Sequence, residues 1–114
     1  MDKSVSNLPE AARYGLLLHE ITQINQVLAL HTNVEKALLY GSRAMGNYRP
    51  GSDIDLTLCG EDLSLADQFE IENKLDDLLL PYKIDLSIFS KIENSDLIDH
   101  ISRIGRLFYQ KGKN

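Results

Sequence analysis

With 114 residues, 43% apolar and 25% charged, the chain has the size and composition of a single water-soluble globular domain. Its net charge of −5 argues against an extended nucleic-acid surface, since polynucleotide binding depends on Lys and Arg neutralising phosphates. Its lone Cys59 excludes an internal disulfide and a zinc-type spacing. No apolar run reaches the length of a membrane span, and the opening MDKSVSNLPEAARYG lacks the apolar stretch of a signal peptide. A cytoplasmic location is therefore expected.

Asn7, followed by Pro9 and Glu10, suits a helix start. Leu17, Ile21, Ile24 and Leu28 then recur at helical spacing, and Gly15 leaves open whether this is one helix or two. Lys36 to Tyr40 is a short apolar strand that stops at Gly41. In the segment that follows, GSRAMGNYRPGSDIDL, Pro50-Gly51 fits the centre of a type II turn. The next strand, Asp53 to Cys59, alternates cleanly, with Ile54, Leu56 and Leu58 on one face and Asp53, Asp55 and Thr57 on the other. Ser64 with Asp67 marks a helix start, and Leu65, Phe69, Ile71, Leu75, Leu78 and Leu79 are expected to form its buried stripe up to Pro81. Lys83 to Phe89 alternates again, Ile84, Leu86 and Ile88 opposite Asp85 and Ser87. Asn94 caps a last helix carrying Leu97, Ile98, Ile101 and Ile104, and Leu107-Phe108-Tyr109 closes the chain as an extended piece. The expected class is α+β, a small mixed sheet with helices packed on one face.

Loop lengths bring the acidic residues together. The stretch from Ser42 to Ser52 is too short for a helical crossover, which makes the first two strands antiparallel neighbours. Cys59 to Lys83 has room for a helix, which makes the second and third strands parallel. Gly41, Ser42, Asp53, Asp55 and Asp85 then share one edge. Alternate strand residues lie roughly 6.6 Å apart and point the same way, so Asp53 and Asp55 form a clamp for a cation. Mg²⁺ takes oxygen ligands, with one or two carboxylates and substrate phosphate as the usual set. Two such ions about 3.5–4 Å apart hold the attacking and leaving oxygens of an in-line displacement. Asp53 and Asp55 are expected to bridge the metals, with Asp85 completing the ion that activates the incoming hydroxyl. Gly41 permits close approach of a triphosphate, the amides of Ser42 to Ala44 face its phosphates if they open a helical turn, and Ser42 adds a hydroxyl. Arg43 or Arg49 is the counter-charge for departing pyrophosphate.

Other polar residues read more plainly. His19, His31 and His100 have no metal spacing and are expected at the surface. Glu70, Glu72, Asp76 and Asp77 read as a solvated helix face. Tyr40 and Tyr48 both suit a base contact, and Tyr40 equally suits the strand core.

The segment GSRAMGNYRPGSDIDL resembles the signature of minimal nucleotidyltransferase (MNT) domains, small members of the DNA polymerase β-like superfamily. Their Gly-Ser, ten residues, Asp-x-Asp pattern falls on Gly41, Ser42, Asp53 and Asp55, and Lys83-Ile84-Asp85-Leu86 is similar to the strand bearing the third carboxylate. The likeness runs on through Leu79-Leu80-Pro81-Tyr82 and Gly105-Arg106-Leu107-Phe108-Tyr109. Met45 departs from it, standing where many relatives carry Lys or Arg. The resemblance implies a nucleotidyltransferase fold over residues 1–114 as one domain, and Mg²⁺ (or Mn²⁺) with ATP as substrate. It also implies a hetero-oligomeric partner, a helical HEPN-domain toxin, with AMP transferred to a tyrosine of that toxin so that the chain acts as antitoxin. A chain of this size leaves no second domain to hold the acceptor, which agrees with a separate protein supplying the hydroxyl. Two further readings compete: an antitoxin that masks its partner by contact without turnover, and transfer to a small-molecule hydroxyl.

Overall fold

A two-residue turn joins the first two described strands. The structure, a computed structural model, describes residues 12–112. Strand β1 (Ala12–Arg13) pairs antiparallel with β2 (Leu16–Leu17), Arg13 opposite Leu16. The residues between them, Tyr14 and Gly15, have φ of 58° and 74°, the pair of positive values that a type I′ hairpin turn requires. Gly15 therefore belongs to a turn ahead of the first helix. The expected start at Asn7 lies outside the described residues.

Helix α1 (Leu18–Ala29) buries Ile21, Ile24 and Leu28 as their spacing predicts and adds Val27, whereas Leu17, expected on the same stripe, lies in β2 and is exposed. Strand β3 (Lys36–Tyr40) leads into a single helical turn, α2 (Ser42–Met45), and then into β4 (Ile54–Cys59). Helix α3 (Leu65–Asp76) begins with a reciprocal cap, Ser64 Oγ accepting from the Asp67 amide at 3.1 Å and Asp67 Oδ2 from the Ser64 amide at 3.0 Å. Strand β5 (Ile84–Ile88) and a 3₁₀ turn (Phe89–Lys91) follow. Asn94 Oδ1 accepts the amides of Asp96 and Leu97 to cap α4 (Ser95–Ile104), and β6 (Arg106–Gln110) ends the fold.

The stripe expected on α3 is corrected. Ile71 and Leu75 are buried, whereas Leu65, Phe69 and Leu79 are 55%, 59% and 86% exposed. Residues two apart on a helix stand about 200° apart around its axis, so Phe69 cannot share a face with Ile71. The helix also stops at Asp76, before Pro81 is reached, and Leu79 takes a left-handed φ of 56° in the turn that follows.

The sheet order is β5-β4-β3-β6, with β3 antiparallel to both β4 and β6, and β4 parallel to β5. Both expected pairings of the central strands hold. The closing piece becomes an edge strand on β3, with a register shift between Ala37 and Leu38. Ala37, Leu39, Ile54, Leu56, Leu58, Leu86 and Ile88 build the core on one face, joined by the inward residues of α1 and α3. Each fully buried Leu or Ile contributes about 1.5–3 kcal/mol over its exposed state. The α+β class with a mixed sheet is as the sequence predicts. Beyond it, α4 sets His100 edge-on against Tyr40, with ring centroids 6.1 Å apart, on the sheet face opposite that core. No helix of the described residues is long and apolar enough to cross a membrane.

Candidate active site

Register assembles the site. Tyr40 on β3 pairs with Asp55 on β4, and Asp55 pairs with Asp85 on β5. Directly paired residues point to the same face, so the three side chains form a row on the side away from the core. One step along, Ser87 Oγ donates to Thr57 Oγ1 at 2.9 Å, and Ser87 tempers the shift on the Tyr40 hydroxyl. This polar layer satisfies the buried hydroxyls beneath the carboxylates. Burial raises the Tyr40 hydroxyl above its ordinary range, and the charges of Asp55 and Asp85 push the same way.

Asp55 is half-buried, and its carboxyl is raised above the ordinary carboxylate range, first by burial and then by the charges of Asp85 and Asp53. His100 and Arg43 oppose the shift. Asp53 and Asp85 are thus each near enough to act on Asp55, and three carboxylates are the donor type that suits a hard divalent cation. Among the described residues, no group of three or more His, Cys, Asp or Glu is gathered tightly enough to hold a metal ion as it stands. Asp53, just ahead of β4, is exposed.

Gly41 is required twice over. Its φ of 75° and ψ of −156° lie in a region essentially reserved for glycine, and a Cβ there would collide with Asp55 Oδ2. Its amide donates to His100 Nε2 at 3.1 Å, which leaves the Nδ1 position for the proton of a neutral ring. Ser42 opens α2, closed by donation from the Met45 amide to Gly41 O and from the Gly46 amide to Ser42 O. The helical turn expected after Gly41 is therefore present, and the leading amides of such a turn have no intrahelical acceptor.

The two arginines part company. Arg43 is 2% exposed. Its Nε and Nη2 donate to Ser52 O at 3.2 and 2.8 Å, Nη2 also to Pro50 O at 3.3 Å, and Nη1 to Tyr14 O at 2.9 Å. The guanidinium lies 5.3 Å from the Tyr48 ring centroid and 4.9 Å from that of Tyr82. Arg49 is exposed, and its amide donates to Ser52 Oγ at 2.8 Å. The Ser52 amide returns to Arg49 O at 2.9 Å, closing a β-turn centred on Pro50-Gly51. This turn is not type II, because Gly51 is not among the glycines with positive φ. A type II turn differs from type I in which way the central peptide faces, and Arg43 holds the Pro50 carbonyl in place.

Sequence reasoning missed His100 and His31, both expected at the surface. His100 is drawn to the site by Gly41 and Tyr40, and no motif within α4 signals it. His31 is buried, with Nε2 3.2 Å from Lys74 Nζ. Tyr40 is buried in the sheet. Glu20 was also missed: buried, it accepts the Leu17 amide at 2.8 Å and the Tyr82 hydroxyl at 3.0 Å.

A small mixed sheet carrying Gly-Ser at the end of one strand, Asp-x-Asp at the start of the next and a third carboxylate in register defines a nucleotidyltransferase-type domain. The sequence pattern of the polymerase beta nucleotidyltransferases matches residues 22–114, and the chain belongs to that family. No match to this chain was found among the curated proteins. Among solved structures, the chain is similar to one in a toxin–antitoxin complex with AMP-PNP, at TM-score 0.65 and 21% identity over 81% of this chain and 74% of that one. It is also similar to a chain of the MntA–HepT toxin–antitoxin, at TM-score 0.60 and 19% identity over 82% and 72%. A third likeness is to a chain of the tri-AMPylated Shewanella oneidensis HEPN toxin in complex with its MNT antitoxin, at TM-score 0.55 and 18% identity over 81% and 73%. These likenesses show the nucleotidyltransferase fold, and all three neighbours come from toxin–antitoxin complexes.

Proposed function

We propose that this chain, as one domain over residues 1–114, transfers AMP from ATP to a hydroxyl of a helical HEPN-domain toxin, a tyrosine being the acceptor, and thereby acts as its antitoxin. The observation that carries the reading is the register of Asp55 with Asp85, which sets two carboxylates side by side on one face, next to the Gly41-Ser42 turn. Family membership supports nucleotidyl transfer. The AMP-PNP complex and the AMPylated toxin among its structural neighbours support ATP and a protein acceptor.

Asp53, Asp55 and Asp85 would hold Mg²⁺, which when bound neutralises triphosphate charge and eases loss of the hydroxyl proton. Gly41 lets the triphosphate approach the backbone, and the Ser42 hydroxyl and the amides of α2 donate to its oxygens. The acceptor oxygen bonds to the α-phosphorus as the bond to the bridging oxygen breaks, releasing pyrophosphate. Asp85 takes the acceptor's proton. Arg49, exposed beside the turn, supplies counter-charge to the leaving pyrophosphate.

The test is α-labelled ATP with the purified toxin partner, comparing the unaltered chain with Asp53→Asn. Label on the toxin that disappears with the substitution supports catalysis. Inhibition of the toxin that persists in Asp53→Asn without label would make the chain a masking antitoxin instead.

A further inference from the structure

We propose that Arg43 is a positioning residue for the carboxylate Asp53, not a ligand of nucleotide phosphate. The inference rests on the nucleotidyltransferase reading and reassigns one residue within it. An arginine that clamps a phosphate must offer its planar fork to the ligand. The Arg43 fork is turned inward, 2% exposed, and spent on the carbonyls of Tyr14, Pro50 and Ser52.

The contacts show what it holds. Ser52 O, which takes the 2.8 and 3.2 Å donations, belongs to the peptide that joins directly to Asp53. Fixing that carbonyl, together with Pro50 O, sets the direction in which the chain delivers the exposed Asp53 into β4. The same guanidinium stacks on Tyr82 at 4.9 Å, three residues ahead of Asp85, and Lys83 O accepts the Ile54 amide at 2.9 Å. Tyr82 is anchored in turn through its hydroxyl to Glu20 of α1. One buried cation therefore aligns the starts of both carboxylate-bearing strands.

Gly15 gives independent access to this arrangement. A Cβ at Gly15 would collide with the Tyr48 ring and sit 2.8 Å from Arg43 Nη1. Gly15→Ala therefore crowds first the Tyr48 ring that flanks the guanidinium and then the guanidinium itself, at a φ of 74° that also strains the hairpin, while leaving the Arg43 charge and every candidate nucleotide contact chemically intact.

The probe is AMP-PNP, with binding followed by calorimetry as Mg²⁺ is titrated, for the unaltered chain, Arg43→Lys and Gly15→Ala. Positioning predicts that the Mg²⁺ concentration for half-maximal binding rises by about 10- to 100-fold in both variants, the loss typical when support behind a metal ligand is removed. AMP-PNP affinity at saturating Mg²⁺ stays unchanged. A drop in that affinity for Arg43→Lys, or an unaltered Mg²⁺ requirement for Gly15→Ala, overturns the proposal. Should Arg43→Lys lack a cooperative melt, Gly15→Ala carries the decision alone. If the unaltered chain binds no AMP-PNP at any Mg²⁺ concentration, the nucleotidyltransferase reading fails, and this inference with it.

Discussion

Asp55, Gly41 and His100 are mutually dependent, and each link can be cut singly. The Asp55 carboxylate occupies the space that a side chain on residue 41 would fill. Gly41→Ala is therefore expected to cost about 1–3 kcal/mol in backbone strain and to abolish nucleotide transfer with all three aspartates still present; thermal melting and label transfer read the two effects separately. His100 takes the Gly41 amide at 3.1 Å. Replacing it with Phe keeps a ring against Tyr40 but leaves that amide without an acceptor, at a cost of about 1–3 kcal/mol. A melting curve for His100→Phe indistinguishable from the unaltered chain would show that this hydrogen bond is not holding the turn. Of these residues, Gly41 and Asp55 are legible from their spacing. His100 is not, because a lone histidine on a helix carries no sign of which strand end it will meet.

At the level of elements, α3 separates what periodicity encodes from what it does not. Ile71 and Leu75 are buried in the core, while Phe69 stands in solvent. Ile71→Ala is expected to destabilise by about 2–5 kcal/mol and Phe69→Ser by less than about 0.5 kcal/mol, measured by denaturant unfolding. Losing the Ser64 cap through Ser64→Ala should cost about 1 kcal/mol. The loop after α1 is also tied to α3, by His31 and Lys74. Burial lowers the His31 pKa below 6.5, and the neighbouring Lys74 charge adds to this, while Glu70 and Asp67 oppose it. A depressed histidine favours the neutral form in the fold, so its contribution is present above pH 6.5 and is lost as pH falls toward its folded value. His31→Gln should flatten the pH dependence of stability in that window, and an unchanged slope would assign it to other groups.

Over the whole molecule, the sheet gathers like charges that a cation-free chain must tolerate. Burial and the charges of Asp85 and Asp53 oppose ionisation of Asp55, so the site stores repulsion that a bound divalent ion would relieve. A ligand that binds only the folded state stabilises it by mass action. Mg²⁺ is therefore expected to raise the melting temperature of the unaltered chain, by about 4 °C for each kcal/mol of linkage in a domain of this size. Asp55→Asn should melt higher than the unaltered chain without Mg²⁺ and gain little when it is added. A Mg²⁺ response that survives in Asp55→Asn would place the ion elsewhere.

Much of this architecture is local information. The alternation of Ile54, Leu56 and Leu58 with Asp53 and Asp55, the capping residues Ser64 and Asn94, and the loop lengths that make one strand pair antiparallel and the other parallel are all readable along the chain, because they depend on period, turn chemistry and reach. The Gly-Ser and Asp-x-Asp spacing pointed to the chemistry for the same reason. What depended on packing between distant segments was not readable. The inward turn of Arg43, the type of the Pro50-Gly51 turn, the burial of Glu20 and the arrival of His100 at Gly41 each join residues that no periodicity connects. An arginine looks the same in sequence whether its fork meets a phosphate or three backbone carbonyls, and only the fold decides which acceptors lie within hydrogen-bond reach.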